Sequence, residues 1–324
     1  MNSDRRRINA PAGGTSAPVF ARTLKEPGHL QSLRPLRARA PDELRNIFVQ
    51  TGVVPSASGS AYLEVPSAPS SVAASSLIPP SSSLKISCSV QGPKPLPRSA
   101  PFSPSLLLTT TIKFAPFASR TRRGYIRDSV ERDLGVHLET ALRGVIIGER
   151  WPKSGVEVIV TVIEGDEDAW WGEGITGANG AGNGSRWGLL NVLAGCITVS
   201  SAAIADAGID CVDLVSGGVA AMVRNPRDKG GVIRVLDPCP SEHEEILAGC
   251  VVGYLAARDE VTEVWMKGDL GSSLEELVEG ATHAAVGSLS VLKEVLLESV
   301  EGKLKGQAGG LQRRTTQQDV EMVG

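Results

Sequence analysis

Aromatic residues are scarce in this sequence, where Phe, Trp and Tyr together make up 4% of 324 residues. A core must therefore be built from aliphatic side chains, and the 41% hydrophobic content is sufficient for one. The five cysteines include no CxxC pair, and no metal-ligand spacing links them to the four histidines. The sequence predicts neither a metal nor another cofactor, and it predicts that Cys88, Cys196 and Cys250 are reduced core residues of an intracellular protein.

The chain also lacks a large excess of charge of either sign, since the formal net charge is only −3. This balance excludes a protein that is basic over its whole surface, so any contact with nucleic acid has to be local. Arginine is concentrated in residues 1–42, which have too little apolar sequence to fold alone. We predict that they form an extended or disordered basic arm. No apolar segment follows their charges, so a secretory signal is not expected.

The chain does contain one long apolar stretch, in residues 188–207. It is apolar on nearly all sides, which is typical of a buried helix, and Gly208 suits the left-handed residue that ends such a helix. A membrane span is the alternative, but polar residues interrupt the run and no aromatic belt flanks it. The sequence favours a central core helix that leads directly into a strand at residues 211–215.

The segments before this helix have strand and helix signals in a clear order. Four β-branched or alternating runs, separated by loops rich in Pro and Ser, predict a four-stranded meander over residues 44–117. Apolar residues then recur at spacings of three and four in residues 128–147, which predicts an amphipathic helix with Asp128 or Ser129 as its N-cap. The nearly continuous apolar run in residues 156–163 predicts a central strand.

The segments after the central helix predict further strands and a terminal helix. The strands are expected at residues 212–223, 231–236, 248–257 and 261–267. A long amphipathic helix is expected at residues 271–305, followed by a polar tail at residues 306–324. The element order predicts a two-layer α/β fold in one domain, residues 43–305, with halves at 43–208 and 209–305.

Several short motifs in this order resemble the RNase PH family of phosphorolytic 3′→5′ exoribonucleases. They are SVQGP at 89–93, ERDLGVHLETALR at 131–143, WPKS at 151–154 and ITVSSAAIADAGIDCVDLV at 197–215. The resemblance covers about residues 37–300 and implies an RNase PH-like fold (ribosomal protein S5 domain 2-like) with mixed sheets, long Pro/Ser-rich and Gly-rich loops and the disordered N-terminal arm. Within the family the chain is most similar to the Mtr (mRNA transport) type of ring subunit in the eukaryotic exosome core.

The resemblance also implies partners and a setting. Family members assemble six RNase PH-like domains into a ring with a central pore for RNA. A heteromeric exosome ring, closed on one face by RNA-binding cap proteins, is therefore expected, and no membrane. The implied function is RNA processing and degradation, including that of rRNA, in the nucleus (nucleolus) and the cytoplasm.

The family's site residues are missing at several matching positions. Active members hold phosphate with two arginines, and the matching positions here are Val130 and Leu193. The metal-binding carboxylate pair is reduced to Asp237, with His243 where its partner is expected. Because neither Val nor Leu can hold phosphate, we expect a non-catalytic structural and RNA-guiding subunit. The alternative is an active phosphate-dependent 3′→5′ exoribonuclease.

Candidate RNA contacts lie in the basic segment, which we define as residues 119–127. Its arginines are expected to contact phosphates without reading sequence. They are Arg120, Arg122, Arg123 and Arg127, with Arg98 as a second choice.

Residues 165–187 form an acidic, Trp- and Gly-rich insertion that permits two other hypotheses. Its glycines at 177–184 could cradle a phosphate in a nucleotide-binding enzyme, but the Lys-Ser/Thr pair of a P-loop is missing. Trp170 and Trp171 are a more plausible anchor in a subunit interface, because the neighbouring acidic residues repel RNA.

Overall fold

The computed structural model describes the chain with several gaps. The described residues are 36–67, 83–119, 123–124, 126–168, 186–225, 231–269, 271 and 273–321, with side chains as far as residue 305. Trp170, Trp171 and the glycines at 177–184 lie outside this part of the chain, as do Arg120, Arg122 and most of the predicted basic arm.

The first sheet contains five strands in the order β1-β2-β3-β5-β4. They are β1 (Phe48–Thr51), β2 (Gly59–Val65), β3 (Leu84–Pro95), β4 (Leu107–Phe114) and β5 (Ser154–Glu164). In β3 the alternating side chains of Leu84, Ile86, Cys88 and Val90 are buried, as the period-2 geometry of a half-buried strand requires.

The predicted four-stranded meander is wrong for its last strand. β4 does not pair with β3; it lies at the sheet edge and pairs in parallel with β5, from Leu107 opposite Gly155 to Phe114 opposite Val162. Two parallel strands need a long crossover, and α1 (Ser129–Arg143) provides it. β5 is therefore an interior strand, between β3 and β4, as its apolar run predicted.

Helix α1 begins with a capping box. The Glu131 N–H donates to Asp128 Oδ1 (2.8 Å), and the Asp128 N–H donates to Glu131 Oε2 (3.0 Å). Asp128 is thus the N-cap, and the helix buries Leu134, Leu138 and Leu142. It ends four residues earlier than predicted, because the chain after Arg143 turns to reach the next element.

Helix α2 (Gly188–Asp206) is the central core helix that the sequence predicted. All its residues except Leu189, Ala205 and Asp206 are buried, and Gly208 has φ +70°. In the described part of the chain it is the one helix long and apolar enough to cross a membrane, and 89% of its 18-residue apolar window is buried inside the protein. The strand predicted directly after it is wrong: Cys211 makes only an isolated bridge with Ile146.

The second sheet is antiparallel, in the order β7-β6-β8-β9. Its strands are β6 (Val215–Arg224), β7 (Val232–Leu236), β8 (Ile246–Leu255) and β9 (Glu260–Gly268). β6 is buried on both faces up to Arg224 because helices pack on both sides of it. Two glycines permit this: an added Cβ would lie 2.3 Å from Ala194 O of α2 at Gly217, and 2.1 Å from Ala281 O at Gly218.

The helix on the far side of this sheet is α3 (Leu274–Glu321), which extends through most of the predicted polar tail. α2 lies between the two sheets, α1 packs beside it, and α3 covers the second sheet. The elements therefore stack in more layers than the two predicted. The large core cluster lies around α2, and a smaller one lies between α3 and the second sheet.

Candidate functional site

The two positions matched to phosphate-holding arginines face apolar surroundings. Leu193 is fully buried in the core cluster around α2. Val130, in the first turn of α1, is partly buried against the same cluster. Neither side chain has a polar atom, so neither position supplies a cation for an anionic substrate.

Asp237 follows β7 in the left-handed conformation, with φ +46°, and both of its carboxylate oxygens are bound by arginine. Arg45 donates from Nη2 to Oδ1 (2.7 Å), and from Nε (2.8 Å) and its main-chain N–H (2.9 Å) to Oδ2. Arg39 Nη1 adds a contact of 3.2 Å to Oδ2. Burial would raise the pKa of Asp237, but the charge and hydrogen bonds of Arg45, with the charge of Arg39, hold it well below its usual range.

Arg45 reaches a second carboxylate from the same guanidinium. Its Nη2 lies 3.0 Å from Asp166 Oδ2, which also accepts from Asn191 Nδ2 at 2.7 Å. The Arg45 side chain is only 3% exposed. Burial lowers the pKa of Arg45, but the charges of Asp166 and Asp237 outweigh this effect and raise it above its ordinary value. Arg45 is thus a permanent cation held between two acids that lie far apart in sequence.

Two further arginines, Arg37 and Arg39, lie just before Arg45 in the chain and contact the same end of β7. Arg37 donates to five main-chain oxygens at 2.8–3.4 Å, including those of Leu236 and Asp237. Arg39 also contacts buried Glu242, from Nη2 to Oε2 at 3.3 Å. Burial, followed by repulsion from Arg39, lowers the pKa of Arg37 to about 10. We call this set the arginine–carboxylate cluster: Arg37, Arg39, Arg45, Asp166, Asp237 and Glu242.

The cluster differs from the sequence-based prediction in two respects. Residues 36–42, predicted as part of a disordered arm, lie against the folded domain, and the Leu236 N–H donates to Pro41 O at 2.8 Å. Arg45 was not among the site residues predicted from the sequence. The local sequence contains little signal for this, because Arg45 lies among polar residues, after Glu43 and before Asn46, and its acidic partners are more than 100 residues away.

The cluster does not fit a divalent metal at Asp237. A divalent cation needs a carboxylate with little positive charge nearby, whereas both oxygens of Asp237 accept from guanidinium groups, whose charge repels a cation. His243 follows a one-turn 3₁₀-helix, Pro240–Glu242, and its side chain is half-buried. Among the described residues, no three acidic, His or Cys side chains form a group that could hold a metal ion.

The structure separates the two sets of candidate RNA contacts. Arg98 is exposed in a turn after β3, next to the start of β5, where Leu96 N–H donates to Lys153 O. The basic segment follows β4, next to the end of β5. The seven steps from Gly155 to Val162 span about 23 Å, so Arg98 and Arg123 belong to opposite ends of the sheet.

The described part of the basic segment has two arginines in defined contacts. The Arg123 guanidinium lies 4.0 Å from the centroid of the Phe114 ring, and its Nη1 contacts Asp128 Oδ2 at 3.0 Å. The Arg127 carbonyl accepts a 3.5 Å hydrogen bond from Arg132. The segment shares one end of the first sheet with the arginine–carboxylate cluster, because Gly165, next to Asp166, donates its N–H to Ala118 O at 2.9 Å.

Two sheets around a buried helix, with an acidic strand end beside a basic loop, define a mixed α/β protein. The chain belongs to the RNase PH family: the sequence model described as "3′ exoribonuclease family, domain 1" matches residues 43–210. This match confirms the family resemblance and the predicted fold class.

Relatives within the family cover nearly the whole chain. The chain is 49% identical to the exosome complex component MTR3 of Chaetomium thermophilum, over 92% of this chain and 99% of that protein. It is 30% identical to the exosome complex component mtr3 of Schizosaccharomyces pombe, over 91% and 96% respectively. The crystal structure of rice (Oryza sativa) Rrp46 has the same fold, with a TM-score of 0.59, 16% identity and coverage of 80% of this chain and 98% of that one.

Proposed function

We propose that this chain is a non-catalytic ring subunit of an exosome, which supports the ring and guides RNA during 3′→5′ processing and degradation. The similarity to exosome components named MTR3, over almost their whole length, supports this role. The partners are then other RNase PH-like exosome subunits, cap proteins and RNA. The setting that follows for such a subunit is the nucleus, with the nucleolus, and the cytoplasm.

The arginine–carboxylate cluster is the observation that carries the non-catalytic part of the proposal. Phosphorolysis needs cations that hold phosphate and carboxylates that bind a metal. Here Val130 and Leu193 are apolar, and Asp237 is neutralised by Arg45 and Arg39. An acid paired with two of the chain's own arginines stabilises the folded structure, and the positive charge of those arginines disfavours a divalent cation at the same place.

A phosphorolysis assay tests this part of the proposal. The full-length chain, alone and in the complex it forms with its partners, is supplied with RNA, phosphate and Mg²⁺, and nucleoside diphosphates are measured. We expect release from this chain to stay at background. Release that disappears with Asp237→Asn, in a preparation whose thermal unfolding shows a folded protein, would establish the active-enzyme alternative.

The RNA-guiding part depends on the basic segment. Arginines on a loop at the sheet end can neutralise phosphates, and affinity then falls with salt in proportion to the contacts made. Replacing Arg120, Arg122, Arg123 and Arg127 by Glu should lower the affinity for RNA. It should also reduce the salt slope, which is the steepness with which the logarithm of that affinity falls with the logarithm of salt concentration.

A matched control keeps the charge change and moves it elsewhere. Four exposed arginines outside the basic segment, replaced together by Glu, alter the net charge equally: Arg143, Arg150, Arg224 and Arg258. Equal RNA affinity for the two quadruple variants would show that the basic segment has no specific role. The scaffold role would remain, and co-purification with exosome subunits tests it separately.

A further inference from the structure

Phe117 is an exposed aromatic residue next to the basic segment. It lies in the loop between β4 and α1, and its side chain is 75% exposed, the largest fraction for a large hydrophobic residue in the described part of the chain. Phe102 and Phe48 are also exposed, at 68% and 54%, but Phe117 is the one of the three that lies next to the basic segment. A single exposed hydrophobic side chain is common on protein surfaces, so it is the position of the ring beside the basic segment that points to a ligand.

The loop holds Phe117 in place although its ring is free. Ala115 and Ala118, on either side, are buried, and the Ala118 N–H donates to Ala115 O at 2.9 Å. Each is tied to the sheet end: Ala115 N–H donates to Val162 O (2.8 Å), and Gly165 N–H donates to Ala118 O (2.9 Å). The turn is therefore anchored at both ends, and the ring can bind a partner with little loss of backbone entropy.

The basic segment lies next to the loop that contains Phe117. The Arg123 N–H donates to the carbonyl of Pro116, the residue before Phe117, at 3.2 Å. The guanidinium of Arg123 rests on Phe114, and the sequence of the basic segment contains four arginines and no acidic residue. Asp128 offsets one charge by its contact with Arg123. An exposed ring next to cations matches a partner with a flat apolar face and a negative backbone.

We propose that Phe117 is a base-stacking platform for single-stranded RNA, with Arg123 contacting the adjacent phosphate. The inference rests on the proposed RNA-guiding role and extends it to a specific aromatic subsite. Because every base has a π-face, such a platform holds RNA of any sequence, which suits a subunit along which RNA passes. The cation fixes the backbone while the ring holds a base.

The test compares an RNA with a backbone-only anion. Oligoadenylate of twelve nucleotides and inorganic polyphosphate are titrated against the full-length chain at several salt concentrations. We expect Phe117→Ala to weaken oligoadenylate binding by about fivefold or more, without changing the salt slope or the affinity for polyphosphate. Arg123→Gln should weaken binding of both anions and lower the slope. Phe48→Ala, an exposed phenylalanine on β1 beside Tyr62, is the control and should bind as the unmodified chain does.

A second variant reports stacking directly. Phe117→Trp keeps a ring at the same place, so it should retain affinity and show fluorescence quenching with oligoadenylate beyond that of the unmodified chain, but none with polyphosphate. Unchanged oligoadenylate affinity in Phe117→Ala, with a clear loss in Arg123→Gln, would overturn the stacking inference alone. No binding by the unmodified chain, alone or in its complex, would overturn the RNA role itself. Impaired complex assembly in Phe117→Ala with normal RNA affinity would reassign the ring to a protein contact.

Discussion

Replacing Arg45 by Met should destabilise the protein strongly. Met keeps most of the apolar stem and removes the charge, so two carboxylates lose their main partner. Asp166 is fully buried and Asp237 is largely so, at 0% and 19% side-chain exposure. Removing one partner of a buried ion pair leaves an uncompensated charge and costs about 3–5 kcal/mol. We therefore expect the free energy of unfolding to fall by about this amount near pH 7.

Urea unfolding of the full-length chain, followed by tryptophan fluorescence, measures this loss. Arg150→Met is the matched control, because Arg150 forms a 3.1 Å ion pair with Asp210 at the surface and is 64% exposed. Such exposed pairs contribute about 0–1 kcal/mol. Arg45→Lys should give an intermediate loss, because a lysine retains the charge but not the planar fork that reaches both acids.

The loss should also depend on pH. In the unmodified chain Arg45 keeps the pKa of Asp237 below its value in the unfolded chain. The stability from this pairing is complete above the unfolded pKa, about 3.9, and is lost as pH falls toward the lowered folded pKa. Without Arg45, burial raises the pKa of Asp237 in the folded variant. Protonation of Asp237 in acid then removes the uncompensated buried charge. The stability difference between the two proteins should shrink as pH falls from 7 to 4. An Arg45→Met loss no larger than that of Arg150→Met, or a difference that grows in acid, would refute the reasoning.

Three further predictions concern packing, capping and thiol reactivity. Gly217→Ala should cost about 3 kcal/mol in urea unfolding, because its Cβ would meet Ala194 O at 2.3 Å. Asp128→Ala should cost about 1 kcal/mol, because the capping-box hydrogen bond to Glu131 is lost. Burial raises the pKa of the Cys88 thiol to about 12, so Cys88 should resist a thiol reagent at pH 8 until the chain unfolds, as mass spectrometry of labelled peptides would show.

Each of these predictions has a result that would contradict it. Gly52→Ala is the packing control, because Gly52 has φ +71° but nothing within 4 Å of an added Cβ; equal losses would remove the close-approach argument. Unchanged stability in Asp128→Ala would show that α1 does not depend on its cap. Labelling of Cys88 as fast as that of half-buried Cys211 would show that burial does not protect it.

Local features could be read from the sequence because they depend on near neighbours. The capping residue Asp128, the periodicity of α1 and the left-handed Gly208 all involve contacts within a few residues. The apolar composition of residues 188–206 was sufficient to predict a buried helix, since a helix without a polar face has nowhere else to lie. The family was recognisable for a related reason, because motif order and spacing are properties of the chain itself.

Pairing between distant segments could not be read in the same way. Four successive strand signals predicted a meander, but β4 pairs in parallel with β5, because the crossover helix α1 carries the chain back over the sheet. Arg98 and Arg123 were grouped as candidate RNA contacts by charge, whereas they lie near opposite ends of β5, which spans about 23 Å from Gly155 to Val162. Charge is visible in a sequence, but its place on the surface depends on strand order.

The sequence by itself determined the family, the central helix and the absence of arginine at positions 130 and 193. Only the tertiary structure decided that Asp237 is paired with arginine. Its partner Arg45 lies 192 residues away, and the pairing exists because the segment before β1 is brought against the end of β7. A carboxylate's role is set by the charges within a few ångströms of it, and those neighbours are a property of the folded chain.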